Sequence, residues 1–269
     1  MDFNDSQQEA AFRKEARDFL EANAEKRSII SDKPNDKSPQ IAVAGAPETV
    51  KGGKEAAQEA LERAKVWQKK KAEAGFAAIL WPKEFGGYGG SPIQQVIYSQ
   101  EEHDYLVPSG YFEIGIGMLG PTMMVWGKDE DKKRYLPKMI TGEEIWCQLF
   151  SEPSAGSDLA GIKMKAEKDG DEWVLNGQKV WTSGAHFADY GMIVARSDPS
   201  ALKHKGLTYF YLDMKTPGIE VRPIKQISGT SNFNEVFFND VRIPDSQRLG
   251  GEGEGWNCLL YTSPSPRDP

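Results

Sequence analysis

The hydrophobic period of this chain changes once, near Ile145, and that change limits the folds open to it. Before it, apolar residues recur every three or four positions, as in Ala10, Ala11, Phe12, Ala16, Phe19 and Leu20, with Glu, Lys and Arg between them. Such a stripe is one face of an amphipathic helix, and Asn4 or Ser6 stands where its N-cap belongs. After Ile145 the period is two. Lys163-Met164-Lys165-Ala166-Glu167 alternates, and short apolar runs at 192–195, 207–212 and 236–238 lie between turn residues. A single helical bundle or a single sheet would carry one period throughout. Two periods in series predict an α+β chain: an N-terminal all-α domain over 1–144, then a middle β-barrel or sandwich domain over 145–250.

Within the helical part, residues 54–74 are strong helix formers with Leu61, Ala64 and Trp67 on one face, and Lys69-Lys70-Lys71 reads as solvated surface. Residues 28–53 lose all periodicity and read as a long solvated loop or insertion rich in Pro, Asp and Ser. Ser91-Pro92 opens a further helix to about Tyr105, with proline at the first helical position. Gly115-Ile116-Gly117-Met118-Leu119-Gly120 matches a dinucleotide-binding GxGxxG. Pro121 and the helical spacing of Ile114, Met118 and Val125 fit a small-residue helix instead, because the dinucleotide fold needs a strand before the first glycine. In the β part, Asp169-Gly170-Asp171, Asn176-Gly177, Thr216-Pro217-Gly218 and Asn239-Asp240 read as turns, with Asn176-Gly177 a hairpin signal.

Composition removes several function classes. A net charge of −7 over 269 residues argues against a nucleic-acid binder, which presents a basic face. It leaves anionic substrates possible, because a local lysine or a nest of backbone N–H groups receives a phosphate. Two cysteines, Cys147 and Cys258, are too few and too far apart for a disulfide framework or a zinc site, and His103, His186 and His204 show no metal-ligand spacing. No apolar run reaches the roughly 18 residues of a membrane helix. The acidic, polar N-terminus does not read as a signal peptide, so a cytoplasmic or mitochondrial-matrix location is expected.

Chemistry is concentrated in two stretches. The first is Gln148-Leu149-Phe150-Ser151-Glu152-Pro153-Ser154-Ala155-Gly156-Ser157-Asp158, an apolar strand running out into a tight loop. Such a loop exposes backbone N–H groups and hydroxyls that can hold anionic and carbonyl oxygens, although on composition alone it is also an ordinary polar turn. The second is Asn176-Gly177-Gln178-Lys179-Val180-Trp181-Thr182-Ser183-Gly184-Ala185. Together they resemble the acyl-CoA dehydrogenase family of FAD flavoproteins: the first looks like its TEPxAGSD loop, the second like its NGxKxWIT strand. Trp81-Pro82-Lys83-Glu84-Phe85-Gly86-Gly87 is a third match. The resemblance covers roughly residues 5–257, apart from 28–52.

The resemblance implies oxidation of an acyl-CoA to the trans-2-enoyl-CoA, with FAD as hydride acceptor and an electron-transferring flavoprotein as electron partner, in a homo-oligomer. It places Ser151 at the flavin pyrimidine edge, with Gln148 and Phe150 lining the ring through backbone groups. Ser157 would contact the CoA arm of the substrate and approach the FAD pyrophosphate. Trp181 would pack on one flavin face and Ser183 would lie near flavin N5. Both hydroxyl residues are Ser where Thr is common, which keeps the donor and loosens rotamer control. Glu152, beside Pro153 in a loop, reads as a structural hydrogen-bond partner. The family's proton-abstracting Glu lies in a C-terminal helical domain. No catalytic residue can be matched to it here, and a truncated chain with weak or no FAD retention and no turnover is expected. The glycine-rich 251–257 stretch resembles the link to that domain. Residues 258–269 resemble a translated sequencing adapter, with a genuine unstructured tail as the alternative. An acyl-CoA oxidase or flavin monooxygenase of the same fold, and a fragment without cofactor, are the competing functional readings.

Overall fold

The computed structural model describes residues 4–27, 53–227, 229 and 231–262. The expected loop at 28–53 therefore falls, up to residue 52, outside the described residues, as does the tail from 263. The described chain divides into two compact units: residues 4–27, 53–109 and 140–142, and residues 110–139 and 143–262.

The first unit is helical. Helix α1 (Gln7–Asn23) is capped by Ser6, whose side chain and that of Glu9 form a reciprocal capping box, and it buries Phe12, Ala16 and Leu20. Helix α2 (Gly53–Glu73) buries Ala60, Ala64 and Trp67. Helix α3 (Pro92–His103) starts on a second capping box, Ser91 with Gln94, and buries Ile97 and Tyr98. Phe12, Phe76, Ile79, Ile97 and Tyr98 form one core cluster, in which Phe76 stacks on Tyr98 at 4.9 Å. Two short strands, β1 (Glu25–Lys26) and β2 (Tyr105–Leu106), pair antiparallel. The Trp81–Gly87 stretch makes a 3-10 turn at Lys83–Phe85, with Trp81 buried. Gly87 admits no side chain, because a Cβ there would lie 2.1 Å from the carbonyl oxygen of Trp81.

The second unit opens with a π-helical turn at Gly115–Leu119 that runs directly into α4 (Gly120–Trp126). The GxGxxG sequence is therefore helical from end to end, as its spacing predicts, and no strand leads into it. Helix α5 (Asp129–Thr141) follows, its residues to Met139 belonging to this unit. The helices of 110–139 thus pack with the strands, although the period places them in the helical half.

Eight strands form one sheet: β3 (Trp146–Leu149), β4 (Lys165–Asp169), β5 (Glu172–Ser183), β6 (Tyr190–Arg196), β7 (Leu207–Asp213), β8 (Ile219–Ile224), β9 (Phe233–Pro244) and β10 (Arg248–Leu249). The order is β10-β7-β6-β4-β5-β9-β8, with β3 parallel to β6. Strands β5 and β7 are three places apart, about 14 Å in a flat sheet at normal strand spacing. Yet Trp173 on β5 and Phe210 on β7 meet edge to face at 5.3 Å. The sheet is therefore bent around its own core, in keeping with the expected barrel or sandwich.

Two local turn readings need correction. Asn176-Gly177 is not a hairpin turn. It lies inside continuous β5, opposite a bulge on β9: Leu175 pairs with Val241 and Gly177 with Phe238, two steps on β5 against three on β9. Gly177 has φ 148 there, and a Cβ would lie 2.9 Å from the Met164 side chain, so the glycine serves close approach rather than chain reversal. Asn239-Asp240 is likewise no turn between strands; it holds the extra residue of that bulge, within β9. Asp240 has φ 49, and its N–H and carboxylate bond the Asn176 amide at 2.9 and 3.0 Å. Strand β8, not predicted from the sequence, lies at the sheet edge and carries Pro223, which an edge strand tolerates. At the end of the described chain, α6 (Gly255–Thr262) crosses the expected boundary at 257, with Cys258 and Leu259 buried.

Candidate functional site

The two motifs meet along the edge of β5. The Val180 N–H donates to the Ser151 carbonyl at 2.9 Å. One residue earlier, the Lys179 ammonium donates to the Phe150 carbonyl at 2.9 Å and to Glu152 Oε1 at 3.0 Å. Glu152 is itself buried. Its carboxylate also accepts the Lys163 N–H at 2.6 Å and the Met164 N–H at 3.0 Å. The expected structural role of Glu152 is thus what the bonds show. Reciprocal backbone bonds between Glu152 and Ala155, at 2.9 and 3.0 Å, close the turn.

Lys179 was missed by sequence reasoning. Its side chain is fully buried, and burial pushes its pKa down to about 8 against the opposing pull of Glu152. A signal did exist. Trp173, Leu175, Gly177 and Lys179 fall at period two on a strand whose Trp and Leu are core residues, so this lysine had to be paired inside.

Beyond Lys179 the strand breaks register. Lys179 pairs with Val236 and Thr182 with Asn234, three steps on β5 against two on β9. The extra residue sits in this bulge, where Trp181 has φ 60 and its side chain is 59% exposed. A bulky residue in the left-handed region costs on the order of 1–3 kcal/mol, which persists only where the surroundings impose it. The Phe233 ring meets the indole edge to face at 6.1 Å.

The six expected site residues are placed as follows. Gln148 lies half-buried on β3, opposite Met192. The Phe150 ring turns into the core against Tyr209 at 5.7 Å, leaving its backbone at the loop. Ser151 and Ser183 are half-buried, and neither hydroxyl has a hydrogen-bond partner among the described residues. Ser183 pairs with Phe233 beside the bulge. Ser157 is exposed, farther along the loop and before the 3-10 turn Leu159–Gly161; no hydrogen bond ties it to the other five. The N–H groups of Ser151, Gly156 and Ser157 likewise donate to nothing among the described residues. The result is an exposed indole, the Ser151 and Ser183 hydroxyls, and the N–H groups of Ser151, Gly156 and Ser157, none of these polar groups bonded among the described residues. That donor set suits a flat heteroaromatic ring with carbonyl groups and an attached phosphate.

Comparison with known proteins agrees with this arrangement. Residues 45–143 match the acyl-CoA dehydrogenase N-terminal domain model, and residues 147–241 match the middle domain model. The acyl-CoA dehydrogenase IpdE1 of Mycobacterium tuberculosis (strain ATCC 25618 / H37Rv) is 41% identical over 211 residues, covering 78% of this chain and 55% of that protein. Acyl-CoA dehydrogenase FadE34 of the same organism is 45% identical over 196 residues, covering 73% of this chain and 27% of that protein. The chain therefore spans about half of IpdE1 and less of FadE34. Among solved structures, the Tcur3481-Tcur3483 steroid ACAD matches with a TM-score of 0.74 at 30% identity, covering 96% of this chain and 61% of that one. With helical unit, sheet unit and both motif stretches in the order of the two matched domains, the chain belongs to the acyl-CoA dehydrogenase family.

Proposed function

We propose that this chain is the N-terminal and middle portion of an FAD enzyme that oxidises an acyl-CoA to the trans-2-enoyl-CoA. Its electrons would pass to an electron-transferring flavoprotein, from an oligomer in the cytoplasm or mitochondrial matrix. One observation carries the reading. Lys179 and Val180 clamp the Phe150–Ser151 backbone beside a strained bulge that exposes Trp181 and leads to Ser183.

FAD, when bound, supplies a hydride acceptor for the substrate β-carbon. The chain's own residues position that chemistry. Ser151 offers its hydroxyl and N–H to the polar edge of the ring, while Gln148 and Phe150 line it with backbone. Trp181 covers one face, and Ser183 offers a hydroxyl to the reactive centre of the ring. Gly156 and Ser157 offer N–H groups to phosphate oxygens, and the Ser157 hydroxyl meets the CoA arm. No residue of this chain is assigned the removal of the α-proton.

Titration of the purified chain with FAD tests the reading. Weak but saturable quenching of flavin fluorescence, with a shifted visible spectrum, is the expected result. Flavin that stays unquenched and unshifted at all concentrations refutes it.

A further inference from the structure

We propose that Lys179 and Glu152 form a positioning pair for the flavin, setting the orientation of the Phe150–Ser151 peptide rather than serving only as a buried ion pair. The proposal rests on the flavin reading above.

The geometry distinguishes this pair from an ordinary salt bridge. Lys179 reaches past the carboxylate to a main-chain acceptor, the Phe150 carbonyl, at 2.9 Å. Glu152 is anchored further by the Lys163 N–H on Oε2 and by the Met164 N–H on Oε1, the oxygen it shares with Lys179. Ser151 lies between these two held residues, and its own carbonyl is taken by Val180. Rotation of the Phe150–Ser151 and Ser151–Glu152 peptides would break at least one of these bonds in a buried place. Such a break leaves a donor or acceptor without water and costs about 1–3 kcal/mol, more for a charged group. The Ser151 N–H, which has no partner among the described residues, is thereby fixed in direction, and so is the Cα–Cβ bond that carries its hydroxyl. The same lysine is two residues from Trp181, so one side chain ties the loop donor to the bulge that carries the indole. A core that needed only stability would be served as well by an apolar pair of similar volume.

The test compares the purified wild-type chain, Lys179→Met and the double variant Glu152→Gln/Lys179→Met by FAD titration and by thermal melting. The single variant leaves a buried carboxylate without its counter-ion and is expected to melt earlier. The double variant removes both charges and is expected to regain most of the wild-type melting temperature. Its FAD affinity is expected to stay at least tenfold weaker, with the visible flavin spectrum returned toward that of free FAD. A double variant that recovers affinity and spectrum along with stability overturns the proposal. Loss of the fold in both variants overturns it too, because the pair then serves stability. Failure of the wild-type chain to perturb FAD would instead refute the flavin reading itself.

Discussion

Trp181 holds an exposed indole on a backbone that L-residues avoid, at φ 60. Replacing it with glycine removes the steric penalty and little buried surface, while adding entropy to the unfolded chain. Trp181→Gly is therefore expected to fall within about 1 kcal/mol of wild type in urea unfolding, yet to lose most of the flavin quenching. A large loss of stability would mean that the residue is held for packing. Lys179 has the opposite profile. Lys179→Met strands a buried carboxylate and is expected to cost about 3–5 kcal/mol. Its pH dependence has a definite sign. The folded chain releases the lysine proton near pH 8, and the unfolded chain near 10.5. Between those values the unfolded state holds more protons, so the lysine's contribution to stability rises with pH, by at most about 1.4 kcal/mol per unit. Below pH 8 both states are protonated and the trend flattens. Urea midpoints for wild type and Lys179→Met should thus draw apart from pH 8 to 10; converging midpoints would show that the charge survives burial.

At the scale of elements, the caps were legible because they are local. Ser6 with Glu9 and Ser91 with Gln94 satisfy helix-end N–H groups within one turn, and four residues of sequence contain the whole device. The bulges were not legible, because they depend on a partner strand far away in sequence. Asn176-Gly177 has the composition of a hairpin turn, and only the approach of Met164 and the pairing with β9 make it a kink in a continuous strand. The same is true of Trp181: its identity as a motif residue was readable, but its register break requires Asn234 and Val236 opposite. Gly177→Ala tests the close approach. The added methyl would sit 2.9 Å from Met164 Cγ, at φ 148, and about 2 kcal/mol of destabilisation is expected from strain and overpacking together. A neutral substitution would mean that Met164 moves aside freely and that the glycine is not required by packing.

On the scale of the whole chain, the change of hydrophobic period located the helical and β halves, but it could not say which helices pack with the strands. Residues 110–139 keep a 3.6 period and belong with the sheet unit, because periodicity reports which face is buried and not what buries it. Two compact units and a proposed flavin site built from residues of only one of them predict a divided response to the ligand. All seven proposed contact residues lie in the sheet unit. A ligand that binds only the folded form stabilises what it binds by RT ln(1 + [L]/Kd), about 2.7 kcal/mol at a hundredfold excess over Kd. Hydrogen exchange with and without saturating FAD should therefore slow the amides of β3, β5 and β9 strongly and those of α1 and α3 little. Equal protection in both units would mean that they unfold as one cooperative body. Protection confined to the helical unit would place the ligand away from Ser151, Trp181 and Ser183 and remove the site proposed for it.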